Sequence, residues 1–360
     1  MEGDTDMNKV LSYWMEGVMN NFFILCLSVL VSLSYCYFSG KILSKGTTRL
    51  VTFLPVIVLF LLLPLNIHSV NFVGFTSFSI TMLANLKLLM FAFNKGPLSD
   101  LSELSLPTFL AIAGLPIKLK TSQTEKAHNS LFNYARKGLL LAFLIKINHD
   151  YSDYIHQTII LGMYSIYVYF FLEIGLAIAA AMVRALLGIE LEPQFNEPYL
   201  STSLHDFWGR RWNIMVSRVL RPMIYIPVRR WSINILGQKW AALPAIMSTF
   251  VVSGLIHELI FFYLGRAKPT WEVTWFFVLQ GAGLTAEIAV KKSNNKRVRI
   301  HVPKIIARIY TVGFLFITGF WLFFPPLLRC KALERGVAEY GAAWAFVKDV
   351  FRVASACFAR

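Results

Sequence analysis

Hydrophobic positions in this chain come in long blocks, not in the two-residue alternation of a half-buried strand. Apolar runs recur from residue 20 to residue 327, separated by polar, mostly basic connections. A helix rises about 1.5 Å per residue, so twenty such residues reach across about 30 Å of hydrocarbon. The pattern predicts eight spans, near residues 18–38, 50–67, 72–93, 137–149, 157–186, 241–264, 271–290 and 305–327. The expected fold class is all-α: a polytopic transmembrane helical bundle of about eight spans, with interfacial and re-entrant helices, forming one domain over 1–360. Charge weakens two of these spans, since the third contains Lys87 and the short fourth contains Lys146. Residues 106–115, bracketed by Pro107 and Pro116, are apolar but too short to cross, which suits a re-entrant or interfacial segment. Over 333–358, Ala343, Trp344, Val347, Val350 and Phe351 share a helical face opposite Lys348, Asp349 and Arg352, as in a helix lying in the interface.

Composition fits that reading, with 56% hydrophobic and 15% charged residues in a chain of 360. The net charge of +15 is carried largely by four connections, 39–49, 94–136, 187–240 and 291–304. With eight alternating spans all four fall on one side, which the positive-inside rule places in the cytosol. The basic excess is thereby accounted for by topology, and no nucleic-acid partner is expected. The start of the chain is acidic and lacks a basic n-region, so the first apolar run reads as a retained span. Cys26, Cys36, Cys330 and Cys357 are scattered without metal-ligand spacing, so neither a disulfide nor a metal site is expected.

The candidate chemistry lies in the span 241–264. His257 sits roughly 25 Å along it from the Trp240 end, deep in the hydrocarbon. An ionisable group there marks a functional site by default, the alternative being a neutral imidazole bonded between helices. Ser253 and Gly254 stand one turn earlier on the same face and leave room beside the ring. Ser253 can in principle act as a nucleophile paired with His257, although a helical serine more often bonds its own i−4 carbonyl. Glu258 points about 100° away and is expected to pair with Lys or Arg on another span.

The preceding cytosolic segment, 187–240, reads NEPYLSTSLHDFWGRRWN from Asn196 to Asn213. Ser203 followed by Asp206 predicts a capped helix beginning at Leu204. On it His205, Trp208 or Gly209, and Trp212 share a face, while Arg210 and Arg211 turn elsewhere. His205 itself is expected to be structural. The arginines of the segment suit a belt at the lipid phosphates, and for Arg210 and Arg211 a second reading stands beside it: cations placed for a phosphorylated substrate. Asn213 is either a functional amide or a helix-end amide satisfying backbone groups.

These two stretches carry a resemblance. The aromatic FWGRRWN motif closing on Asn213, then a long gap, then SGLIHE around His257, resembles the membrane-bound O-acyltransferases, and within them the plant wax synthase branch. Asn196-Glu197-Pro198-Tyr199 and Phe323-Phe324-Pro325-Pro326-Leu327 add to it. The resemblance implies a multi-pass enzyme of the endoplasmic reticulum membrane that moves a fatty acyl group from acyl-CoA to a lipid hydroxyl. It implies His257 as the catalytic histidine and Asn213 as its polar partner, with Arg210, Arg211, Trp208, Trp212, Ser253 and Gly254 as candidate substrate-binding residues. Acyl-CoA is then a co-substrate, no cofactor is required, and the acceptor is a fatty alcohol, a sterol or a diacylglycerol drawn from the membrane. Wax-ester formation without an acyl-enzyme is the leading expectation. A transporter using His257 and Glu258 as a proton relay is the rival from another class, although the inverted repeats such a fold needs are not visible. A non-catalytic membrane scaffold is a third, weaker option.

Overall fold

A computed structural model describes residues 19–99, 104–116, 131–151, 154–188, 191–293 and 303–336, with positions 338, 339, 341 and 348. The first helices are α1 (Met19–Ile42), α2 (Thr47–Leu62, closed by the 3-10 turn Leu63–Asn66), α3 (Val70–Ala92), α4 (Leu106–Gly114) and α5 (Leu131–Tyr151). After α6 (Gln157–Leu187) come the short α7 (Leu204–Asp206, continued by a π turn Phe207–Arg211) and α8. α8 runs Ile214–Leu220, then a π turn Arg221–Tyr225, then Ile226–Trp240. The last three are α9 (Ala242–Gly265), α10 (Glu272–Ser293) and α11 (Lys304–Arg329).

Among the described residues seven helices are long and apolar enough to cross a membrane: α1, α2, α3, α6, α9, α10 and α11. The expected span at 137–149 falls in α5, a helix of 21 residues that is not among those seven, since it carries Arg136, Lys137, Lys146 and Asp150. The ends of its neighbours still require a crossing there. Phe91, at the end of α3, lies against Arg49, whereas Tyr164, early in α6, packs with Val70, Leu327 and Leu333 at the other end of the bundle. Leu141 and Ile145 of α5 join that second cluster. Lys137 of α5 also pairs with the buried Glu173 of α6, so its charge is met inside the protein.

The two ends are sewn together by polar side chains that hydrocarbon would otherwise exclude. At the basic end, buried Arg49 donates to the carbonyls of Gly40, Leu43 and Phe91, and Lys292 Nζ donates to the Lys239 carbonyl. At the opposite end, Arg266 donates to the Pro64 carbonyl, Arg329 pairs with Glu272, and Glu339 accepts from Ser69 Oγ and the Val70 and Asn71 N–H groups. The links near 68–71 and 265–270 thus share one end, as the charge pattern requires.

Lys87, the residue that weakens the third span in sequence, is fully buried. Its Nζ donates to the carbonyls of Ile112 (2.6 Å) and Leu115 (2.7 Å), the C-terminal acceptors of α4. A cation at that end satisfies orphan carbonyls and meets the negative end of the helix dipole. The short apolar segment is therefore held inside the bundle by the two hydrogen bonds that Lys87 of α3 donates to it. The interfacial helix expected over 333–358 lies, beyond Gly336 and a few isolated positions, outside the described residues.

Candidate active site

The site is built by α7, the start of α8, and the paired spans α9 and α10. Ser203 caps α7 by accepting the Asp206 N–H at 3.0 Å, while Asp206 reaches back to the Thr202 N–H. Glu287 of α10 accepts the free first-turn N–H groups of Leu204 (2.9 Å) and His205 (3.4 Å). That carboxylate ties the motif helix to the span beside it. α7 then widens: the Trp212 N–H bonds the Phe207 carbonyl five residues back. His205, Trp208, Gly209, Trp212 and Asn213 lie along one wall of a cavity of about 410 Å³. Ser253, His257 and Phe277 line the same cavity from α9 and α10.

His257 is oriented by its own helix. Its Nδ1 lies 2.7 Å from the Ser253 carbonyl, which can only accept, so Nδ1 carries the proton and Nε2 keeps a free lone pair. The ring packs at 4.3 Å between centroids against Phe277, which fixes its tilt. Among the described residues the Ser253 hydroxyl makes no hydrogen bond, either to the imidazole or to its i−4 carbonyl; the backbone of Ser253, not its side chain, serves the histidine.

Asn213 has a left-handed backbone (φ 40°, ψ 62°) and begins α8 without a side-chain cap bond. The capping it would supply comes from Gln194, whose carbonyl accepts the Ile214 N–H at 2.9 Å and whose Oε1 accepts the Met215 N–H at 3.1 Å. The helix-end reading of this amide is thereby set aside. Asn213 Oδ1 is buried and has no partner among the described residues. A buried amide oxygen left bare is costly, so this oxygen is poised to accept from a ligand hydroxyl or water.

Several expectations change. Arg211 donates to Asp206 (2.8 Å) and to the carbonyls of Asn196 and Glu197, so it clamps the loop and does not face the cavity. Arg210 is exposed and also outside the cavity wall. Gly254 faces away from the imidazole: a Cβ there would meet the Thr274 Cα at 3.0 Å, so this glycine is where α9 and α10 touch. Among the described residues Glu258 pairs with no cation; it accepts the Thr274 N–H at 3.0 Å, a free donor in the first turn of α10. What sequence reasoning missed is the bracing. Trp208 Nε1 donates to Gln280 (3.3 Å), and buried Gln280 donates to Thr318 (2.7 Å), a chain whose members are far apart in sequence and leave no local signal.

Residues 191–279 match the model of the membrane bound O-acyl transferase family, and the match takes in both Asn213 and His257. Over 90% of its length the chain is 45% identical to acyl-CoA–sterol O-acyltransferase 1 of Arabidopsis thaliana, covering 95% of that protein. It is 41% identical to two further Arabidopsis thaliana proteins, the probable long-chain-alcohol O-fatty-acyltransferases 6 and 8, covering 94% and 98% of them. The chain belongs to the membrane-bound O-acyltransferase family. It is an integral membrane acyltransferase whose all-α body carries the family motif in α7 and the histidine in α9.

Proposed function

We propose that the protein transfers a fatty acyl group from acyl-CoA to a long-chain fatty alcohol, releasing a wax ester and free CoA at the endoplasmic reticulum membrane. The observation that carries this reading is the cavity shared by the Asn213 amide and an imidazole whose Nδ1 is tied to a carbonyl. In the proposed step Nε2 of His257 takes the proton of the alcohol as its oxygen attacks the thioester carbon. A C–O bond forms, and negative charge develops on the carbonyl oxygen, where the Asn213 amide N–H donates to it. Collapse of the tetrahedral intermediate breaks the C–S bond. The CoA sulfur leaves with the proton held by the imidazolium, so the histidine returns neutral. An acyl-enzyme is not needed, and the lack of a hydrogen bond between the Ser253 hydroxyl and the ring supports direct transfer.

The test is ester formation by purified protein in nanodiscs supplied with acyl-CoA and hexadecanol. His257→Ala is expected to lower the rate by about 10²–10⁴-fold. A variant that makes ester at the normal rate would overturn the assignment. Sterol as acceptor is the second reading, favoured by the 45% identity to a sterol acyltransferase. Competition among hexadecanol, sterol and diacylglycerol at equal concentration ranks the acceptors, and preferential sterol ester would replace the wax reading. A proton-relay transporter is disfavoured by Glu258, which is engaged as a cap on α10.

A further inference from the structure

The cytosolic segment 187–240 carries seven cations, Arg210, Arg211, Arg218, Arg221, Arg229, Arg230 and Lys239. The fold sorts them. Arg211 is held by Asp206 and two carbonyls, Arg218 pairs with Glu192, and the Lys239 ammonium lies over the Trp240 ring. Arg210, Arg229 and Arg230 are exposed and take no part in the cavity wall. Arg221 is exposed as well, but it is the one cation of the segment that lines the cavity of His257 and Asn213. Among the described residues its guanidinium has no partner, and no aspartate or glutamate lines the cavity. Among the described residues the wall therefore carries one formal charge, a positive one on an exposed side chain, and the rest of its lining is apolar, aromatic or neutral.

Placement adds to charge. Arg221 opens the π turn of α8, eight residues after Asn213, which is about 12 Å along the helix. Tyr225, at the end of that turn, also lines the cavity, as does His205 of α7. On α9 the wall runs from Ala242 at the basic end to His257, about 22 Å deeper. An acid group at Arg221 and a reacting carbonyl between Asn213 and His257 thus belong to a long ligand lying along the cavity, with its anionic end toward the basic side of the membrane. A guanidinium offers paired N–H donors that match phosphate oxygens, and no carboxylate among the described lining residues competes for them.

We propose that Arg221 is the phosphate-binding residue of this cavity, gripping the diphosphate of acyl-CoA so that the thioester is delivered between Asn213 and His257. The inference rests on the reading of acyl-CoA as donor, and the experiment separates the two. Arg221→Gln, Arg221→Lys and the exposed Arg229→Gln are purified in nanodiscs, checked for unchanged thermal unfolding, and assayed with palmitoyl-CoA and with S-palmitoyl-pantetheine, which has no phosphate. Arg221→Gln is expected to raise KM for palmitoyl-CoA by about 10- to 100-fold while kcat is kept, with Arg221→Lys between it and wild type. On S-palmitoyl-pantetheine the wild type and Arg221→Gln should be alike, and Arg229→Gln should match wild type on both. A wild-type KM for palmitoyl-CoA in Arg221→Gln, or an equal penalty on the phosphate-free thioester, overturns the proposal. Equilibrium binding of free CoA reads the same residue without turnover. Binding that depends on Arg221 in a protein that forms no ester would retire the catalytic reading and keep this one, and binding indifferent to Arg221 would do the reverse.

Discussion

Asn213 occupies the left-handed region, which strains most side chains, and Asn tolerates it better than other non-glycine residues. The strain and the unpartnered amide oxygen both sit at the cavity wall, so stability and catalysis are expected to separate there. Asn213→Gly should leave the melting temperature equal or slightly higher, because glycine prefers this backbone, yet lower ester formation by about 10²–10³-fold. An activity retained in a well-folded Asn213→Gly would remove the amide from the mechanism. Glu258 tests the opposite separation. Its replacement by Gln keeps an acceptor for the Thr274 N–H and should keep both fold and activity, whereas Glu258→Ala strands a buried donor and should destabilise by about 1–3 kcal/mol in thermal unfolding. His257 was legible from sequence because an ionisable group inside an apolar run is an anomaly along one dimension. The role of Gln194 was not, because the donors it caps lie 20 and 21 residues downstream.

The helices themselves follow from the apolar runs, but their local windings do not. A π turn needs no composition of its own, so the widening at 207–211 leaves no local signal in the sequence. The seam between α9 and α10 is similar. Gly254 looks in sequence like space for the imidazole, whereas in the bundle it lets Thr274 backbone approach, and Gly281 does the same for Phe250. A methyl group at Gly254 would meet a backbone atom at 3.0 Å, and one at Gly281 would meet the Phe250 Cβ at 2.9 Å. Gly254→Ala is therefore expected to destabilise by about 1–3 kcal/mol and to cost activity through the displaced helix pair, seen as a lower melting temperature of the detergent-solubilised protein. A Gly254→Ala protein as stable as wild type would mean that the seam can give. Lys87 works at this scale too, since it turns α4 from a free segment into part of the core.

Across the whole molecule, the basic connections and the interhelical hydrogen bonds agree on which loops share an end. Lys45 lies on the basic side and Lys268 on the other, both exposed. In sealed microsomes a cysteine replacing Lys45 should react with an impermeant maleimide added outside, and one replacing Lys268 should react only after permeabilisation. Equal labelling of both would break the topology. The all-α, multi-span body and the place of one imidazole inside an apolar helix were written in the sequence, because hydrocarbon admits helices of a given length and resists stray charge, a constraint that acts along a line. Which arginine faces the cavity, which glycine is a seam and which residue caps the helix after Asn213 were decided only in three dimensions. Those outcomes depend on how each helix is rotated about its own axis, and that rotation is set by partners tens of residues away whose packing no local pattern records.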